Sequence, residues 1–224
     1  MGPSYVKSSK AHAMTDLRIG IDLSHAERAA MAMRERLIAL RTKYDLGAYE
    51  YCKEVCIAPG VLPYSHPVIR LNTALFTETA LLANYLHEQM HWYVTWYSHK
   101  HTDDWCSVWA KLEHRYPNPP IVRGEGADTR ASTHLHLIVN WLEIEALSSL
   151  IGAEAARTHV ANLHYYRWIY ASVIRDWQAL GEVYASHQLV PILPAHEMSP
   201  EDLALAARLD EAREGRRRLT SHKA

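Results

Sequence analysis

The chain has 224 residues, enough for one domain with its own apolar core. Hydrophobic residues make up 48% and charged residues 22%, and the formal net charge is −1, so no global field directs the chain to nucleic acid or to an anionic membrane. No run of apolar residues is long enough to span a bilayer, and residues 1–10 lack the apolar core of a secretory signal. Three cysteines, Cys52, Cys56 and Cys106, cannot all pair within one chain. They read as buried free thiols of a reducing, cytoplasmic compartment. Two features of the composition are unusual: there are 15 His, and there are 13 Tyr and 7 Trp against a single Phe.

Residues 1–20 are polar and small and are expected to be loosely held. Ser24 and Glu27 have capping-box spacing and open an expected helix to about Tyr44, with Ala30, Met33, Leu37 and Leu40 on its buried face. Residues 49–58 read as a strand, 60–67 as a turn region and 68–71 as a second short strand. Thr77 caps an expected helix over 78–98. That helix is apolar almost all round and therefore belongs at the centre of the domain. Asp103 or Asp104 starts another, ending near Tyr116. Residues 117–133, rich in Pro and Gly, read as a long loop of the kind that often carries function. Residues 134–139 form either a strand leading into a helix over 141–151 or the first half of one buried helix. Further helices are expected over 153–162 and 163–186, and Ser199 with Pro200 opens a charged helix to about Glu214. Arg216, Arg217 and Arg218 read as a solvated tail.

The chemistry lies in His87-Glu88-Gln89-Met90-His91. Two histidines four apart on a helix project from one face about one turn apart, so both imidazoles can bind one tetrahedral zinc. Glu88 sits about 100° around the helix from His87, where its carboxylate reaches a water at the metal without being a ligand. Two His and a Glu inside so apolar a helix need partners, and a metal accounts for all three.

On these residues the chain resembles the zincin metallopeptidases, in which a strand precedes the helix bearing the His-Glu-x-x-His motif. The similarity covers the strand at 68–71, the motif helix and one later helix. No Gly or third His follows His91 at metzincin spacing, so the resemblance is to the gluzincin-like subtype. That resemblance implies a third zinc ligand from a Glu on a later helix, and the apolar segment 134–152 is the candidate. Glu143, followed by Ala146, is similar to the Glu-x-x-Ala of small gluzincin-like proteins and is the expected ligand. Glu145-Ala146-Leu147-Ser148 is similar to the thermolysin-like register and is the alternative, although Ile144 and Ser149 depart from that pattern. A third His ligand, His134 or His136, is the remaining option. If the segment is helical, His136, Asn140 and Glu143 share one face. A developing oxyanion needs a donor. Tyr166 and Tyr170, four apart, are the candidates, with His164 and Arg167 behind them.

The expected fold class is α+β and mostly helical: a zincin-like domain with a small sheet and a central active-site helix. Residues 1–20 would be a loose segment, 21–195 the metal-binding catalytic domain, and 196–224 a C-terminal helix and basic tail. The expected function is a cytoplasmic zinc-dependent hydrolase. The resemblance implies a metallopeptidase acting on a peptide or protein, and the near-neutral charge gives no expectation of a nucleic-acid or membrane partner. Two other readings share the residues: a non-haem iron enzyme on the same site, and a regulatory or binding protein whose zinc is structural or vestigial.

Overall fold

The computed structural model describes residues 17–21, 27–74 and 77–208. Among these residues the chain is mostly helical, with three strands and eight α-helices. In chain order these are β1 (Arg18–Ile21), α1 (Glu27–Lys43), β2 (Glu54–Ile57), β3 (Ile69–Leu71), α2 (Glu78–Lys100), α3 (Thr102–Arg115), α4 (Arg130–Ile151), α5 (Ala153–Ala161), α6 (Arg167–Arg175), α7 (Trp177–Ser186) and α8 (Pro200–Ala206). The strands form one parallel sheet in the order β1-β2-β3. Val55 is the register point, opposite Ile19 on one side and Ile69 on the other. No helix among the described residues is long and apolar enough to cross a membrane.

α2 is the hub. It packs most extensively on α4, then on α8, and also touches α1, α3 and β3. Its burial follows from a sequence with no polar face: Leu81, Leu86, Met90, Tyr93 and Tyr97 are inaccessible although they point in different directions. Thr77 starts the helix as expected, its hydroxyl accepting from Ala80 N at 3.0 Å. α4 is equally enclosed and is one continuous helix from Arg130, capped by Thr129. This resolves the ambiguity at 134–139 in favour of the single helix.

Several expectations are corrected. Residues 18–21, read as loose, form β1; the alternation of Leu17, Ile19 and Ile21 with Arg18 and Gly20 is a strand signal that the polar surroundings mask. The strand expected over 49–58 contracts to β2, because residues 47–49 make a 3-10 turn instead. The helix expected over 163–186 starts four residues late, after Tyr166, and is broken at Asp176 into α6 and α7. The long loop ends four residues early, at Thr129. The thiols are all free, but only Cys52 is buried; Cys106 is exposed on α3. Ser24, Glu214 and the arginine run 216–218 lie outside the described residues. α8, the helix expected from Ser199 and Pro200, lies on α2, with Trp96 Nε1 donating to Asp202 Oδ1 at 2.9 Å.

The excess of Tyr over Phe has a structural reason. Residues 187–194 run along the core without strand or helix hydrogen bonds, so their carbonyls need other donors. Tyr51 OH donates to Leu193 O and Tyr93 OH to Leu189 O, each at 2.8 Å, and Tyr97 OH donates to His187 O. A Phe at any of these positions would fill the same space and leave a carbonyl unpaired.

Two ion-pair clusters fix the periphery. Arg41 of α1 grips the buried Glu50 with both Nε and Nη2, at 2.6 and 2.7 Å, and Tyr85 OH donates to the same carboxylate at 3.1 Å. Arg41→Ala strands a carboxylate that is 5% exposed and should destabilise the fold by about 3–5 kcal/mol in urea denaturation. Asp176, between α6 and α7, accepts from Arg175, Arg115 and Tyr116. These donors, Arg175 foremost, hold its carboxyl well below the usual carboxylate range. A depressed folded-state value means stability is gained above the unfolded carboxylate value and lost as pH falls through the folded one. Asp176→Asn should therefore lose about 1–2 kcal/mol at pH 7, and the difference from the parent should shrink only below about pH 4.

Candidate metal centre

α2 and α4 meet at three histidines. His87 and His91 share one face of α2, with ring centroids 5.0 Å apart. His136 of α4 completes a nearly equilateral triangle, its centroid 5.5 Å from His87 and 5.1 Å from His91. One nitrogen from each ring lies within 4.8 Å of the others. The two intervening residues of the motif serve the fold. Gln89 is fully buried, and its amide clamps the backbone of Cys52, accepting from the N–H at 2.9 Å and donating to the carbonyl at 2.8 Å. Met90 faces the core.

Hydrogen bonds set which nitrogen can ligate. His136 Nδ1 lies 2.7 Å from the Ser132 carbonyl, which can only accept, so the proton is on Nδ1 and the lone pair on Nε2. His87 Nδ1 lies 2.9 Å from Glu143 Oε2, and Tyr170 OH donates to the same oxygen at 2.8 Å. That arrangement likewise turns the lone pair of His87 Nε2 toward the other rings. A tetrahedral zinc with Zn–N of about 2.0–2.1 Å holds its nitrogens about 3.3 Å apart. The triad therefore fits such an ion after ring rotations of about an ångström, and three neutral imidazoles are a suitable donor set.

Glu88 is 4% exposed, and among the described residues its electrostatic partners are His87 and Glu143. Burial pushes its carboxyl up to about 7; the neighbouring Glu143 pushes the same way and His87 opposes. For His87 burial acts downward, but the bond to Glu143 and the charges of Glu143 and Glu88 outweigh it and hold the ring above the ordinary imidazole value.

The remaining candidates are distributed as follows. Glu143 is 1% exposed and stands behind His87 rather than among the three rings; Glu145 is exposed on the opposite side of α4. His134 turns away, with Nε2 donating to Tyr116 O at 2.8 Å and its ring edge-on to Trp109. Asn140 is buried between the His136 and Glu143 turns, and neither of its amide atoms is hydrogen-bonded among the described residues. Tyr170 is buried with its hydroxyl committed to Glu143. Tyr166 packs its ring on His136 at 4.5 Å and on His87 at 6.1 Å. His164 is exposed, and Arg167 pairs with Glu125.

Tyr166 has φ 53° and ψ 29°, a left-handed conformation unfavourable for so large a residue. The loop before α4 enforces it. Arg167 N donates to Gly124 O at 2.9 Å and Trp168 N to Glu125 O at 3.2 Å, so the loop backbone satisfies the start of α6. Gly126 makes the loop possible, because a Cβ there would lie 1.9 Å from the Pro120 carbonyl oxygen. The sequence marked this loop as functional through its Pro and Gly content, but nothing in it tied the loop to Tyr166.

No protein-family model, curated protein or solved structure matches this chain.

Gly126→Ala should destabilise the protein by about 3 kcal/mol in chemical denaturation. Gly47→Ala, whose Cβ would meet its nearest atom at 3.6 Å, should change stability by less than about 1 kcal/mol.

Proposed function

We propose that the chain is a zinc-dependent hydrolase of the zincin kind, with His87, His91 and His136 as metal ligands and Glu88 as general base. The observation that carries this is the convergence of three imidazoles beside a buried carboxylate that is not consumed by an ion pair. This differs from the sequence expectation at the third ligand, where His136 replaces Glu143. Three protein ligands with no fourth His, Cys or acidic group in the cluster among the described residues suit a catalytic rather than a closed structural ion. When bound, zinc supplies a Lewis acid that polarises a carbonyl and makes water nucleophilic near neutral pH.

The residues divide the rest of the work. Glu88 takes a proton from the attacking water as the water oxygen bonds to the carbonyl carbon. It then delivers that proton to the leaving nitrogen as the C–N bond breaks. A carboxyl held near 7 by burial is suited to both transfers. Tyr166, packed on His136 and partly exposed, is the candidate for a donor to the developing oxyanion. Tyr170 is not, because its hydroxyl is bound to Glu143. The peptide bond as substrate comes from the zincin resemblance. The exposed Tyr165, edge-on to Tyr166, would provide an apolar rim for a side chain next to the reacting bond.

Protein purified without added metal should contain about one equivalent of zinc by elemental analysis. Glu88→Gln should keep the metal and lower peptide hydrolysis by about 10²–10⁴-fold. Less than about a tenth of an equivalent of any transition metal, or a Glu88→Gln protein of unchanged activity, would overturn the reading.

A further inference from the structure

We infer that Glu143 and Tyr170 are positioning residues that set the metal affinity of the centre by fixing His87. This rests on the metal reading above and assigns a role to the carboxylate that the sequence offered as a ligand. Glu143 Oε2 receives two hydrogen bonds, from His87 Nδ1 at 2.9 Å and from Tyr170 OH at 2.8 Å. Both partners are buried, and the carboxylate itself is 1% exposed. His136 and Glu143 are seven residues apart on α4, about 10 Å along the helix axis. One helix therefore reaches the front of the metal position with its imidazole and the back of His87 with its carboxylate.

Each contact has a definite consequence. The Nδ1–H···Oε2 bond selects the tautomer with the lone pair on Nε2 and makes that nitrogen a stronger donor. The Tyr170 hydroxyl donates to the same carboxylate oxygen and so restrains the group that orients His87.

The test uses the full-length protein and three variants, Tyr170→Phe, Glu143→Gln and Glu143→Ala. Zinc affinity is measured by competition with a chromophoric chelator, and the visible spectrum is recorded with cobalt(II) in place of zinc. Glu143→Ala should weaken zinc binding by about 10–100-fold, in the range typical of lost outer partners. Glu143→Gln keeps an acceptor for His87 but not the charge, so it should fall between the parent and the alanine variant. Tyr170→Phe, an isosteric change, should weaken binding by about 3–10-fold. The cobalt bands should keep their positions in Glu143→Gln, because all three imidazoles remain. A merely structural role would lower the melting temperature of the metal-free protein and leave zinc affinity, measured well below that temperature, unchanged. Affinities within about twofold of the parent for Tyr170→Phe and Glu143→Gln would overturn the inference. So would a cobalt spectrum in Glu143→Gln showing loss of an oxygen ligand. A parent protein that binds no zinc would instead remove the metal reading on which the inference rests.

Discussion

α2 is enclosed along most of its length, so most of the polar side chains it buries need partners inside the protein, and the surrounding elements are arranged to supply them. Gln89 is answered by the backbone before β2, Tyr93 and Tyr97 by the carbonyls of the segment after α7, Trp92 by Ser65 O, and Trp96 by Asp202 of α8. His87 is answered by Glu143. The elements that pack on α2 are therefore tied to it by specific hydrogen bonds as well as by apolar contact. A buried unsatisfied donor or acceptor costs about 1–3 kcal/mol, so several such contacts together decide where a segment without regular structure lies.

Among the buried carboxylates Glu88 is the exception. It is almost as buried as its neighbours, yet its only close electrostatic company is a histidine and another carboxylate. Natural cores seldom keep such a group without a reason, and those that do tend to use it. The left-handed Tyr166 is a second exception within reach of the same rings, held there by hydrogen bonds from α6 to the loop at 122–126. Electrostatic and backbone strain thus fall at one place, where the three histidines meet.

Much of this architecture was legible in the sequence. The motif helix, its Thr77 cap, its burial and the pairing of His87 with His91 follow from local rules of spacing and capping that operate within a few residues. The same rules gave the polar stripe of His136, Asn140 and Glu143 on α4. They failed where a local pattern was ambiguous: Arg18–Ile21 is too short and too polar in context to stand out as a strand, and the aromatic run 163–186 has no Pro to announce its break.

What the sequence by itself determined is the chemistry available: two imidazoles and a carboxylate on one buried helix, and a second buried helix carrying both imidazole and carboxylate. What the tertiary structure decided is which member of that second helix meets the first. His136 and Glu143 lie on the same face two turns apart, so spacing alone ranks them equally. The packing of α4 on α2 sets the axial offset between the helices, bringing His136 level with His87 and His91 and leaving Glu143 behind His87, where Tyr170 holds it.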